Sequence, residues 1–142
     1  MKKEKEIFVK AVDIIRTRFP NLDSELILEH PNVDAELNIL PQAGLKFGIS
    51  INLQDDELFL STKSLSASWF PCWNQQKFDE FISAVDGLIS GTYRIVEYSI
   101  GRFVGKSELQ LNKENQWIKI AVSYSPIFIL HLFHKKNIYQ NI

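Results

Sequence analysis

The sequence predicts an α+β domain in which two helices pack on one face of a mostly antiparallel sheet, in the order α-β-β-β-α-β-β-β-β. Three observations carry that expectation. Two segments repeat apolar residues at helical spacing, the segments between and after them alternate with a period of two, and proline or glycine marks most of the boundaries. The 142 residues, 45% hydrophobic and 23% charged, suit one domain over residues 1–142 and exclude disordered or low-complexity classes.

The first helix is predicted over Glu4 to Phe19. Ile7/Phe8, Ala11, Ile14/Ile15 and Phe19 recur on one side, Glu4 and Glu6 lie early, and Arg16 and Arg18 lie late, as the helix dipole prefers. Pro20 ends it, because the residue before proline avoids the α region. From Leu22 to Phe70 the period becomes two. Val33, Ala35, Leu37 and Ile39 alternate with polar residues, as do Phe47, Ile49, Ile51 and Leu53, and Pro41 and Gly44 mark the loop between these strands. Asp55-Asp56 predicts a hairpin in which Leu53 faces Leu58 and Ile51 faces Leu60, whether the loop holds two residues or four.

Asn74 to Ser90 is the second predicted helix, with Asn74 as N-cap, a stripe of Phe78, Phe81/Ile82, Val85 and Leu88/Ile89, and Gly91 closing it. Four strands are expected next. Thr92–Ile100 and Phe103–Leu111 flank Gly101-Arg102, a pair suited to a type II′ turn. That register sets Ile100 opposite Phe103, Tyr98 opposite Gly105 and Glu97 opposite Lys106, and it turns Arg94 inward with Val96, Tyr98 and Ile100. Trp117–Tyr124 and Ile127–His134 follow, and the polar tail, residues 135–142, is expected to be loose.

Sixteen basic and seventeen acidic side chains leave a net charge of −1, which disfavours nucleic acid and anionic membranes as partners. The longest apolar run, Ile127 to Leu130, is far short of the roughly 20 residues that span a bilayer, and no signal-peptide pattern follows the charged start, so a cytoplasmic location is expected. The lone Cys72 rules out an internal disulfide and a multi-cysteine zinc site. His131 and His134, three apart on a predicted strand, point to opposite faces, and His30 precedes a proline in a turn. No metal and no cofactor is expected, since the usual ligand spacings and phosphate-binding glycine loops are missing.

Three features remain. Asp55, Asp56 and Glu57 form an acidic turn that suits a basic partner or a solvated hairpin tip. Ser68-Trp69-Phe70-Pro71-Cys72-Trp73 places three aromatic rings around a proline at a strand-to-helix junction. Trp69, Phe70 and Trp73 are therefore candidates for a partner contact, tryptophan being the type most enriched at interface hot spots, with core packing as the alternative. Arg94, on the predicted inward face, is the candidate anchor of a small-ligand pocket if a carboxylate meets it there, or else a structural ion pair or a rim residue. Cys72 lacks the surroundings of a nucleophile and reads as a packed thiol.

The stretch Asp56-Glu57-Leu58 leading through Ser68-Trp69-Phe70-Pro71-Cys72, together with Val85-Asp86-Gly87-Leu88-Ile89-Ser90-Gly91-Thr92-Tyr93-Arg94-Ile95-Val96-Glu97, resembles small single-domain bacterial proteins of unassigned function over about Pro31 to Val122. In size and charge the chain is also similar to bacterial toxin-immunity proteins, a likeness of type and not of motif. The expectation is a non-enzymatic domain that binds a protein partner, such as a toxin domain, by surface complementarity. A small enzyme or ligand-binding domain using Arg94, and a secretion-chaperone-like dimer, are the alternatives.

Overall fold

A computed structural model of the chain describes residues 2–125 and 135–141. The order is α1 (Lys3–Arg18), β1 (Glu25–Ile27), β2 (Ala35–Ile39), β3 (Ile49–Gln54), β4 (Glu57–Thr62), β5 (Leu65–Trp69), α2 (Gln75–Ser90), β6 (Tyr93–Ile100), β7 (Phe103–Lys113), β8 (Gln116–Tyr124) and β9 (Lys135–Gln140). The expected α+β class holds, with antiparallel pairing throughout the described strands, but the strands form two sheets: β1-β2-β3-β4-β5 and β8-β7-β6-β9. The division falls at α2, which packs against β4 and β5 of the first sheet and against β6 of the second.

α1 buries Phe8, Ala11, Val12 and Ile15 against β2 and β3. α2 starts at Asn74, whose side chain accepts a hydrogen bond from the Lys77 amide at 3.1 Å, and ends at Gly91 in the left-handed conformation, φ 93°. Gly87 lets α2 approach β6 closely, since a Cβ there would lie 2.0 Å from the Tyr93 ring. The two helices are tied by Arg18 and Asp86 at 2.5 Å. The core of the first sheet is mainly apolar: Leu37, Ile51, Leu58 and Leu60 are fully buried, and the buried Thr62 hydroxyl donates to the Gly48 carbonyl at 2.7 Å. Trp69 joins that core, edge-on to Phe81 with ring centroids 5.6 Å apart.

The β3–β4 hairpin has the expected pairs, Ile51 with Leu60 and Leu53 with Leu58, around a two-residue Asp55-Asp56 loop. Two strands beyond the expected three complete the first sheet. β1 is only three residues long, and β5 follows a tight turn in which Lys63 itself takes the left-handed conformation, φ 53°, with no glycine to announce it.

Three expectations for the second half are corrected. A bulge between Tyr98 and Ser99 pairs Tyr98 with Lys106 and Glu97 with Ser107, so Gly105 is the extra residue and the Glu97–Lys106 pair is absent. The face of β6 toward the main core is Tyr93, Ile95, Glu97 and Ser99, which sets Arg94 on the opposite face, with the fully buried Val96. Glu97 can face inward because the Ser64 amide at 3.2 Å and the Ser64 hydroxyl at 2.5 Å both donate to its carboxylate. Finally, the tail is no loose end: β9 pairs with β6, and its polar residues suit an edge strand. Asn141 then fastens it, accepting from the Lys46 amide at 3.0 Å and donating to the Gly44 and Ile89 carbonyls at 2.8 and 2.5 Å. The predicted strand Ile127–His134, with His131 and His134, lies outside the described residues.

Candidate functional site

The tip of the β3–β4 hairpin, the start of α1 and the junction before α2 meet at one end of the first sheet. There they enclose an open groove of about 590 Å³, lined by Lys2, Glu4, Lys5, Leu28, Glu29, Asp34, Leu53, Asp55, Asp56 and Trp73. Each wall has a local cause. Asp55 holds a left-handed conformation, φ 55°, and its amide donates to the Asp34 carboxylate at 2.6 Å, so the hairpin tip leans on the start of β2. The Asp56 carbonyl accepts from the Cys72 amide at 2.7 Å, which fastens the aromatic junction to the acidic turn. The cis Phe70–Pro71 bond lies just before that contact. Trp73 is left 50% exposed on the groove wall, with Leu28 and Leu53 as apolar neighbours. A second, smaller groove runs on from Asp34 and Asp55 past His30 to Val33.

The electrostatics are lopsided. Five carboxylates and two lysines line the main groove, and Lys5 is engaged with Glu29 at 3.7 Å. The negative field extends below the surface. Burial pushes the Cys72 thiol above its ordinary range, and Glu4 and Asp56 push it further. A thiol so placed is the opposite of an activated nucleophile, and Cys72 is 1% exposed.

Of the residues singled out in the sequence, the structure brings Asp55, Asp56 and Trp73 to one groove. Glu57 pairs with Gln54 at the base of the hairpin and does not line it. Trp69 is a core residue, 6% exposed, which removes it from the surface candidates. Phe70 is 55% exposed beside the junction but outside the groove lining. Sequence reasoning did not find Asp34, Glu29, Leu28 or the start of α1. Only the β2–β3 register, which sets Ala35 opposite Leu53, shows that Asp34 must lie beside the hairpin tip.

Arg94 does not take the inward position that the hairpin register predicts for it. On the other face of the second sheet its guanidinium lies 4.0 Å over the Trp117 ring, and its Nε donates to Gln110 Oε1 at 2.8 Å. Gln110 in turn donates to Glu108 at 2.9 Å, and Lys106 pairs with Glu108 at 3.3 Å. Burial lowers the Arg94 pKa, against an opposing contribution from Tyr98. Burial works against the Glu108 charge, but the hydrogen bonds from Gln110 and Lys106 and the charges of Lys106 and Lys119 outweigh it, so its carboxyl sits below the usual range. Stacking and the Nε hydrogen bond thus engage Arg94 within the molecule, and it lines neither groove.

His30 accepts from the Asn32 amide at Nδ1, 3.0 Å, and faces Glu36 with Nε2 at 3.3 Å. Among the described residues there is no cluster of three or more histidine, cysteine, aspartate or glutamate side chains able to hold a metal, and no helix long and apolar enough to cross a membrane. Comparison with protein-family models, curated proteins and solved structures gives no match.

Proposed function

We propose that this chain is a non-enzymatic protein-binding domain that covers a partner surface, in the manner of a bacterial toxin-immunity protein. The observation that carries the reading is the convergence of Asp55, Asp56 and a half-exposed Trp73 on one groove, although they come from separate segments. An exposed tryptophan ringed by like charge suits a contact whose affinity comes from the ring and whose orientation comes from the field. The reading asks for no chemistry from Cys72, and the ligand pocket at Arg94 is not carried forward because that guanidinium is already stacked and hydrogen-bonded.

Affinity purification from native cells, with the wild-type chain and with Trp73→Ala combined with Asp56→Lys, tests it. The expected result is one stoichiometric protein partner held by the wild type and weakened about tenfold or more by the variant. A partner held equally by both, or no stoichiometric partner at all, contradicts the reading.

A further inference from the structure

We propose that the occupant of this groove is an arginine-bearing polypeptide segment, whose guanidinium lies on the Trp73 indole and is held by the carboxylates of Asp55 and Asp56. The proposal deepens the protein-binding reading and rests on it.

Five aromatic rings elsewhere in the molecule, though not the exposed Phe70, carry one of the chain's own cations: Lys10 over Phe78 at 5.5 Å, Lys63 over Tyr139 at 4.4 Å, Arg94 over Trp117 at 4.0 Å, Lys106 over Tyr98 at 4.4 Å and Arg102 over Phe103 at 6.0 Å. Among the described residues, no such cation sits on Trp73, the aromatic ring that lines the carboxylate-rich groove. Indole gives the strongest cation–π attraction of the aromatic side chains, and a nearby negative field adds to it.

With Lys5 engaged by Glu29, Lys2 alone remains against Glu4, Asp34, Asp55 and Asp56, so the groove is short of positive charge and complements a cation. The partly buried Leu28, with the Trp73 ring itself, offers the apolar contact that the methylene stem of a long cationic side chain needs.

Guanidinium chemistry favours arginine over lysine. A guanidinium is planar and weakly hydrated, so it stacks on indole while its edge still donates to oxygen, whereas an ammonium gives up more hydration to do the same. The protein contains this arrangement on its second sheet, where Arg94 stacks on Trp117 and its Nε donates to Gln110. A polypeptide is preferred to a free cation because the second groove continues from Asp34 and Asp55, giving flanking residues a surface to follow.

The test is a titration of the ¹⁵N-labelled protein with a short glycine peptide carrying arginines, against its lysine and glutamate counterparts and free arginine, followed by the indole N–H signals of the three tryptophans. A saturable shift is expected at Trp73 and at the Asp55 and Asp56 amides, with affinity about threefold weaker for lysine and lost for glutamate. Asp55→Asn with Asp56→Asn is expected to weaken arginine-peptide binding roughly fivefold or more. Asparagine tolerates the left-handed conformation at position 55, so the variant is expected to unfold at the wild-type temperature. Equal responses at Trp73 and Trp117, an equal effect of the glutamate peptide, no saturable shift, or an unchanged double variant overturns the proposal. Free arginine binding as tightly as the peptide overturns the polypeptide occupant. If a partner depends on Trp73 while the arginine peptide does not bind, the protein-binding reading stands and the occupant chemistry falls.

Discussion

Trp117 and Trp73 show how differently one protein can use the same side chain. Trp117 lies on the second sheet under Arg94, in a network that passes through Gln110 and Glu108 to Lys106 and leaves the guanidinium committed. Trp73 lies beside carboxylates that the chain leaves short of cations. From residue types alone the two regions look alike, each pairing an aromatic ring with charge. What separates them is whether the molecule satisfies the charge itself. A cation engaged within the chain contributes to the fold, whereas carboxylates left short of cations are where a basic group from outside would gain most.

The closed region should therefore respond in stability. Arg94→Ala is expected to cost about 1–2 kcal/mol in chemical denaturation, by removing the stack on Trp117 and leaving the buried Gln110 carbonyl oxygen without its donor. A cost near zero would mean that the network is decorative and that the comparison fails on this side. A smaller effect is expected from Glu108→Gln, and it depends on pH. The native carboxyl is held below its ordinary value of 4.5, so its charge stabilises the fold at neutral pH, and that contribution disappears as pH falls through the lowered native value. The wild type should exceed the variant in stability at neutral pH, and the gap should close on acidification below 4.5. A gap that is independent of pH would contradict the assignment.

The fold was legible in the sequence where its determinants are local. Both helices carry their stripes and end signals nearby, and the Ile51–Leu60, Leu53–Leu58 and Ile100–Phe103 pairs follow from short turns. The split into two sheets was not legible, because no local pattern states whether β6 continues the first sheet or starts another. The face of Arg94 was misread for a related reason. Val96, Tyr98 and Ile100 outweigh Tyr93 and Ile95 as an apolar set, and the Ser64 amide and hydroxyl that let Glu97 turn inward come from a distant segment. The site was half legible: Asp55, Asp56 and Trp73 stand out one by one, but the Cys72–Asp56 hydrogen bond and the placement of Asp34 that unite them are long-range facts.

The central claim is that Trp73 lies in an unfilled negative field while Trp117 is covered by the chain's own cation. Fluorescence quenching of two single-tryptophan proteins, Trp69→Phe with Trp117→Phe and Trp69→Phe with Trp73→Phe, measures this directly. At low ionic strength caesium should quench Trp73 at least about twofold more effectively, relative to iodide, than it quenches Trp117. Equal ratios, or iodide favoured at Trp73, would contradict the account.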